Sequence, residues 1–127
     1  MSYNRISNVG NRFQGDRKKV LCVCSAGLLR SPTLAWILSN DPFGYNTRAV
    51  GTSQEYALIP LDDVHLYWAD AVVFVDEANY RAAKHEYEDL LKNMECHVLQ
   101  IPDQYPFRDD RLVEIATEEL KRVFLSE

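Results

Sequence analysis

A cysteine, an arginine and a Ser-Pro pair lie close together in the segment CSAGLLRSP, which spans residues 24–32. Cys24 ends the apolar run VLCVC, five residues separate it from Arg30, and a helical pattern follows. The backbone N–H groups of such a loop and the helix N-terminus can surround a dianion. Arg30 can bind two anion oxygens through its planar fork, and the same positive groups favour Cys24 as a thiolate. The segment predicts a nucleophile inside a phosphate-sized cradle.

The rest of this segment has supporting roles. The cradle would bind phosphate through the backbone of Ser25, Ala26, Gly27, Leu28 and Leu29. The Ser31 hydroxyl suits the N-cap of the helix, with Pro32 at its first position, and it can also donate a hydrogen bond to a departing thiolate. Attack of Cys24 on phosphorus would give a thiophosphate intermediate, which divides a difficult reaction into two easier steps.

Apolar runs and helical stripes alternate along the chain. We predict strands over residues 19–24, 46–50, 71–75 and 96–101, and helices from residue 32 onward, over 61–68, over 77–92 and over 111–125. This order indicates an α/β fold: a three-layer α/β/α arrangement with a four-stranded parallel sheet. Ligands of such sheets bind beyond the carboxyl ends of the strands.

Residues that could take part in a site stand at the end of each predicted strand or just after it. They are Cys24, the Gly51-Thr52 pair, Asp76 and Asp103. Because parallel strands point the same way, we expect all four at one edge of the sheet. Asp76 and Asn79 are expected to organise the strand end and the next helix rather than to take part in chemistry.

Several segments resemble one known family. The motif Cys-x5-Arg-Ser-Pro after an N-terminal strand resembles the low-molecular-weight protein tyrosine phosphatases. Residues 75–80, VDEANY, are similar to the Met-Asp-x-x-Asn segment of that family, and residues 101–105, IPDQY, to its Asp-Pro-Tyr loop. Residues 50–53, VGTS, are similar to its Ala-Gly-Thr turn. These matches span residues 19–125.

The resemblance implies a protein-tyrosine-phosphatase-type hydrolase on the low-molecular-weight phosphatase fold. It makes Asp103 the general acid, a role that fits a carboxyl group placed after the fourth strand. Tyr105 would form a wall of the substrate slot, and Asp109 and Asp110 are alternative acids that look like helix N-terminal residues. The expected substrate is a phosphorylated protein or a small phosphomonoester, with no cofactor and no metal.

The chain also departs from the family pattern. Ala26 and Gly27 stand where the family loop has Gly and Asn, and Ala49 stands where a serine bonds that Asn. The loop is therefore expected to be held by other contacts. Pro106 replaces a tyrosine, and the region between the second and third strands is shorter. Since that region shapes the substrate mouth, the preference for phosphotyrosine stays open.

Three alternatives remain. An arsenate reductase on the same fold would need further thiols, and Cys22 and Cys96 are poorly placed for a relay. A phosphocysteine carrier similar to the sugar-transport IIB proteins would not require Arg30 or Asp103. A non-catalytic phosphate-binding module would use the cradle without the chemistry.

Composition limits the remaining classes. The 127 residues predict a polar, basic arm over residues 1–18 and one domain over residues 19–127. Residues 1–19 carry five basic and one acidic side chains, against nine basic and eighteen acidic in the remainder, which argues against nucleic-acid binding. No apolar run approaches the ~18 residues of a membrane span, so no membrane partner is expected. Three cysteines, an odd number, favour a reduced, cytoplasmic setting.

Overall fold

A computed structural model of the chain describes residues 17–25, 30–53, 57, 59–102 and 109–125. Within these residues, four strands and four helices alternate. The strands are β1 (Lys19–Cys24), β2 (Asn46–Gly51), β3 (Ala71–Phe74) and β4 (Glu95–Val98). The helices are α1 (Arg30–Ser39), α2 (Asp63–Trp68), α3 (Glu77–Leu91) and α4 (Asp110–Phe124).

The strands form one parallel sheet in the order β2-β1-β3-β4. β1 pairs with β2 along its whole length, from Lys19 opposite Asn46 to Cys24 opposite Gly51, and with β3 on its other side. The two central strands consist almost entirely of buried residues, as expected of strands covered on both faces. We name the edge at which the strands end the carboxyl edge, and the opposite edge the amino edge.

Two apolar clusters cover the two faces of the sheet. Side chains alternate along β1, so that Cys22 and Cys24 face one side while Leu21 and Val23 face the other. Helices α1 and α4 pack on the first face, and helices α2 and α3 pack on the second. The three layers are therefore those predicted from the sequence. In the described part of the chain, no helix is long and apolar enough to cross a membrane.

The boundaries of the elements lie within three residues of those predicted. The largest difference is at β4, which ends at Val98 rather than at residue 101. The chain nevertheless continues beside the end of β3, where Leu99 N–H donates to the Phe74 carbonyl at 2.8 Å and Ile101 N–H donates to the Val75 carbonyl at 3.0 Å. Because of these two bonds, the segment after β4 runs beside the end of β3 as far as the carboxyl edge.

A cluster of charged and aromatic side chains lies at the amino edge. The Nζ of Lys18 lies 2.8 Å from one carboxylate oxygen of Glu95, and the Nε2 of His97 lies 2.7 Å from the other. The ring of Phe124 contacts the side chains of Lys18 and His97, with Lys18 Nζ 5.4 Å and the centroid of the His97 ring 4.9 Å from the centroid of the Phe124 ring. We name these four residues the amino-edge cluster. It joins the start of β1 to β4 and to the end of α4.

Candidate active site

Cys24 is the last residue of β1, and its side chain is buried at the carboxyl edge. Its sulfur lies 3.1 Å from the Oγ of Ser31, which is fully buried. The end of the strand is held from the β2 side, where Thr52 N–H donates to the Cys24 carbonyl at 2.8 Å. The predicted nucleophile therefore lies against a hydroxyl that can donate a hydrogen bond to a thiolate.

The prediction that Ser31 caps α1 is wrong, because the helix begins at Arg30 and places Ser31 in its first turn. The Ser31 Oγ also lies 3.4 Å from the Val50 carbonyl, so the hydroxyl is turned toward β1 and β2. A hydroxyl carries a single proton, so donation to a Cys24 thiolate would release the longer bond to Val50. Of the two roles predicted for Ser31, helix capping and a hydrogen bond to the Cys24 sulfur, the geometry therefore fits the hydrogen bond.

Arg30 is the first residue of α1, and only 4% of its side chain is exposed. Its Nη1 donates to the Oδ2 of Asp76 at 2.9 Å and to the carbonyl of Ile101 at 2.8 Å. A cation at a helix N-terminus opposes the helix dipole, and burial adds a desolvation cost. The Asp76 carboxylate offsets both, while Ile101 fixes the orientation of the guanidinium. Groups that follow β3 and β4 thus hold the arginine at the carboxyl edge.

Asp76 caps α3 and binds Arg30 at the same time. Its Oδ1 accepts from the backbone N–H of Asn79 at 2.9 Å and from the Asn79 side-chain amide at 2.7 Å. Burial raises the pKa of this carboxyl, but the hydrogen bonds from Asn79 and Arg30 outweigh burial and hold the pKa below its ordinary value. Asp76 is therefore a carboxylate at neutral pH. The cap confirms the predicted organising role, whereas the bond to Arg30 was not predicted.

Asn79 extends these contacts to two further strand ends. It is 3% exposed, and its Oδ1 accepts from the Oγ of Ser25 at 3.3 Å and from the Oγ1 of Thr52 at 2.8 Å. We name Ser25, Thr52, Asp76 and Asn79 the carboxyl-edge network. Sequence reasoning missed it, although the Asp-x-x-Asn spacing at a helix start, combined with polar residues after β1 and β2, is a signal that was available.

The other predicted site residues are distributed as follows. Ala26, Gly27, Leu28, Leu29, Asp103 and Tyr105 lie outside the residues that the structure describes. Asp109 caps α4 by accepting from Arg111 N–H at 2.9 Å, and Asp110 is the first residue of that helix, so both are helix N-terminal acids as predicted. No group of three or more His, Cys, Asp or Glu side chains in the described ranges is placed to hold a metal ion.

The other two cysteines differ from Cys24 in position and environment. Cys22 faces the same side of β1 but is completely buried, and burial together with the neighbouring Cys24 raises the pKa of its thiol. Cys96 packs against the cluster on the opposite face of the sheet, where burial and the charge of Glu95 raise its pKa. A raised pKa disfavours the thiolate, so neither residue has the environment of a nucleophile.

Protein-family models give no match to the sequence, and the curated proteins give no significant match. Solved structures do match. YwlE arginine phosphatase from Geobacillus stearothermophilus superposes with a TM-score of 0.61 at 17% identity, covering 87% of this chain and 97% of that chain. The tyrosine phosphatase Wzb from Escherichia coli K30, in complex with phosphate, gives 0.64 at 14% identity, covering 84% and 96%. A YwlE arginine phosphatase mutant with a phosphorylated active-site serine gives 0.58 at 15% identity, covering 86% and 99%.

The chain has the low-molecular-weight phosphatase fold. The likeness extends over most of this chain and nearly all of the structures matched, so the fold predicted from the sequence resemblance is confirmed. At identities of 17% and 14%, it is the fold that is shared.

Proposed function

We propose that this protein is a cysteine-dependent phosphomonoester hydrolase. The observation that carries the proposal is the meeting of a buried cysteine and a buried arginine at the carboxyl edge, with the Ser31 Oγ 3.1 Å from the Cys24 sulfur. Parallel α/β sheets bind their ligands at this edge. Arg30 is buried at this edge and bound to Asp76, and a guanidinium can bind the oxygens of an anionic ligand there in addition to that carboxylate.

In the first step, the Cys24 thiolate attacks phosphorus from the side opposite the leaving group. An S–P bond forms, the bond between phosphorus and the ester oxygen breaks, and Asp103 donates a proton to that oxygen. Arg30 binds two of the phosphoryl oxygens and stabilises the charge of the transition state. The backbone N–H groups of residues 25–29 also bind the phosphoryl oxygens.

In the second step, water attacks phosphorus and the S–P bond breaks, which releases inorganic phosphate. Asp103, now a carboxylate, accepts a proton from this water. The Ser31 hydroxyl donates to the sulfur as negative charge returns to it. The covalent route is supported by the solved YwlE mutant that is named for a phosphorylated active-site serine.

The substrate class is a phosphorylated protein side chain or a small phosphomonoester. Structures with the same fold are named as arginine and tyrosine phosphatases. An assay for the substrate should therefore include phosphorylated arginine and phosphorylated tyrosine side chains. Tyr105 is proposed to form one wall of the slot that receives the substrate. The remainder of the carboxyl edge carries carboxylate, amide and hydroxyl groups, which suit a polar substrate mouth.

The arsenate reductase alternative is disfavoured by the positions of the thiols. Cys96 lies on the opposite face of the sheet from Cys24. Cys22 lies two residues from Cys24 on one strand, which sets their Cα atoms roughly 6.6 Å apart with parallel side chains, near the limit for a disulfide. Neither thiol can relay a disulfide from Cys24 without a change in the backbone.

The test is hydrolysis of an aryl phosphate by the wild type, by Cys24→Ser and by Cys96→Ser. Cys24→Ser should abolish turnover, because a serine hydroxyl is not ionised by the loop as a thiol is. Cys96→Ser is the matched control and should keep wild-type activity. A wild type without turnover, or a Cys24→Ser variant that retains it, would refute the proposal, and the first result would favour a non-catalytic phosphate-binding module.

A further inference from the structure

Asn79 is the residue at which side chains from three strand ends meet. We propose that Asn79 is a positioning residue, which holds the phosphate loop in register with Arg30 and so aligns the Cys24 sulfur with the bound phosphoryl group. This inference rests on the function proposed above. Asn79 itself touches neither Cys24 nor Arg30 in the contacts described, and it acts through Ser25 and Asp76.

The composition of the loop makes its side-chain anchor identifiable. Between Cys24 and Arg30 the sequence is Ser-Ala-Gly-Leu-Leu, so Ser25 is the one loop residue whose side chain can make a hydrogen bond. That hydroxyl donates to the Oδ1 of Asn79 at 3.3 Å. A hydrogen bond that anchors this loop through one of its own side chains must therefore be made by Ser25, and the partner of Ser25 is Asn79.

The hydrogen bonds of Asn79 require an amide in one orientation. Its oxygen accepts from two hydroxyls, those of Ser25 and Thr52, while its nitrogen donates to the carboxylate of Asp76 at 2.7 Å. Rotating the amide by half a turn would place its oxygen against the carboxylate. A carboxylate in its place would also repel Asp76, and a hydrocarbon would satisfy none of these partners. The residue type is thus dictated by its surroundings, in a position that is 3% exposed.

The chain of contacts links the two ends of the loop. Ser25 directly follows the nucleophile, and Asp76, which receives the Asn79 amide on one oxygen, receives Arg30 on the other at 2.9 Å. Ser25, Asn79, Asp76 and Arg30 therefore form a bridge from the first residue of the loop to the arginine that closes it. Loss of Asn79 would remove this side-chain bridge, so that Cys24 would be held by Ser31 and Thr52, and Arg30 by Asp76 and Ile101, with no side-chain link between the two ends through Ser25.

The first test compares Asn79→Ala, Ser25→Ala and the double variant in aryl-phosphate hydrolysis. Asn79→Ala should lower kcat by about 10- to 100-fold, since a small displacement of reacting groups has effects of this size. KM should change much less, because Arg30 and the loop N–H groups still bind phosphate. The double variant should be no slower than Asn79→Ala, because Ser25 acts through the same bridge.

A matched control separates positioning from general destabilisation. Thr47 is a buried polar residue of the same sheet, and its Oγ1 donates to the Ala35 carbonyl at 2.9 Å, away from the carboxyl edge. Thr47→Val removes that buried hydrogen bond and should lower Tm while leaving kcat within about twofold of wild type, as expected for sites that share no partners.

The second test does not depend on turnover. Iodoacetate and iodoacetamide alkylate the same thiol, but only iodoacetate is an anion, so the ratio of their rates at Cys24 reports the anion-binding loop. The wild type should prefer iodoacetate, phosphate should protect, and Asn79→Ala should lose most of the preference while Thr47→Val keeps it.

Three outcomes would overturn the proposal that Asn79 is a positioning residue. The first is a kcat of Asn79→Ala within twofold of wild type. The second is a Thr47→Val variant that loses as much kcat as Asn79→Ala at an equal drop in Tm, and the third is a wild type that reacts no faster with iodoacetate than with iodoacetamide. If the wild type prefers iodoacetate but hydrolyses no phosphate ester, the proposed function fails on its own. The positioning role then stands if Asn79→Ala loses the preference, and it falls if the preference is unchanged.

Discussion

The two edges of the sheet each carry an ion pair of similar length in very different surroundings. At the carboxyl edge, Arg30 and Asp76 are 2.9 Å apart, with 4% of the arginine side chain exposed. At the amino edge, Lys18 and Glu95 are 2.8 Å apart, with 34% and 41% of their side chains exposed. Both pairs join residues far apart in the sequence, so distance and topology alone do not distinguish them.

The difference in burial indicates what each pair contributes. Water and salt screen the amino-edge pair, so it adds little to the free energy of unfolding and serves mainly to tie β1 to β4. The buried arginine would be costly without its carboxylate, and replacing such a pair with apolar residues often costs nothing. We therefore propose that the buried pair at the carboxyl edge serves the proposed chemistry more than it serves stability. Variants at the two edges test this contrast.

The largest effect is expected at Arg30. Arg30→Lys should lower kcat/KM by roughly 10²- to 10³-fold, because a point charge cannot replace two parallel hydrogen bonds to a phosphoryl group in the transition state. Steady-state hydrolysis of an aryl phosphate measures this, with Arg81→Lys, at a side chain that is 77% exposed, as the control of the same chemical type. A lysine variant as active as the wild type would show that the bidentate role is wrong.

Asp103, which follows β4 in the sequence, is the general acid of the proposed mechanism. If it protonates the leaving group, Asp103→Asn should slow esters with basic leaving groups by roughly 10²-fold and barely affect those with acidic ones. The alkaline limb of the pH profile should also change, since the protonated acid is required at the start.

A leaving-group series with wild type, Asp103→Asn and Asp110→Asn measures this effect. Asp110→Asn is the control, because Asp110 is the first residue of α4 and is expected only to favour the helix N-terminus. Equal slopes for wild type and Asp103→Asn, with a steeper slope for Asp110→Asn, would assign the acid to Asp110.

Asp76→Asn breaks the buried pair while retaining a good helix cap, since Asn caps helices as well as Asp. We expect about a tenfold loss of kcat, from a displaced Arg30. We also expect a loss of roughly 2–3 kcal/mol in the free energy of unfolding, below the usual range for fully buried pairs because Asp76 is 31% exposed.

The pH dependence of that stability difference has a defined direction. The pKa of Asp76 lies below its ordinary value, so the carboxylate stabilises the fold above the ordinary carboxyl pKa, and this contribution is lost as the pH falls through the lowered pKa. Urea unfolding of wild type and variant from neutral to acidic pH should show the gap closing. A gap that widens in acid would contradict the ionised pair.

Glu95→Gln is the smallest expected change. Burial raises the pKa of Glu95, but hydrogen bonds from Lys18 and His97 outweigh it and hold the pKa below its ordinary value. The variant should lose less than about 1 kcal/mol of stability at neutral pH, because the pair is exposed and screened.

This loss should shrink in 1 M salt and disappear as the pH falls through the lowered pKa, with no change in kcat. Urea unfolding at low and high salt, with parallel activity assays, provides the measurement. A change in kcat of more than twofold, or a stability loss as large as that of Asp76→Asn, would remove the contrast between the two edges.

Local sequence was sufficient for much of the fold. β1 was predicted with its observed bounds, and the other elements within three residues, because apolar periodicity and capping residues act over short stretches. The start of α1 was misplaced, because Pro32 and Ser31 fit a capped helix start, whereas the tertiary contacts of Ser31 with Cys24 and Val50 turn its hydroxyl toward the sheet.

By itself, the sequence determined that Cys24 and Arg30 belong to one strand-loop-helix unit, since seven consecutive residues hold both groups and their separation is a local property. Only the tertiary structure decided what holds that unit. Arg30 bonds Asp76, which is 46 residues away in the sequence. Asn79 bonds Ser25 and Thr52, which are 54 and 27 residues away. Those contacts depend on the strand order β2-β1-β3-β4. That order arises from the packing of helices on both faces of the sheet, and the local periodicity of the sequence does not encode it.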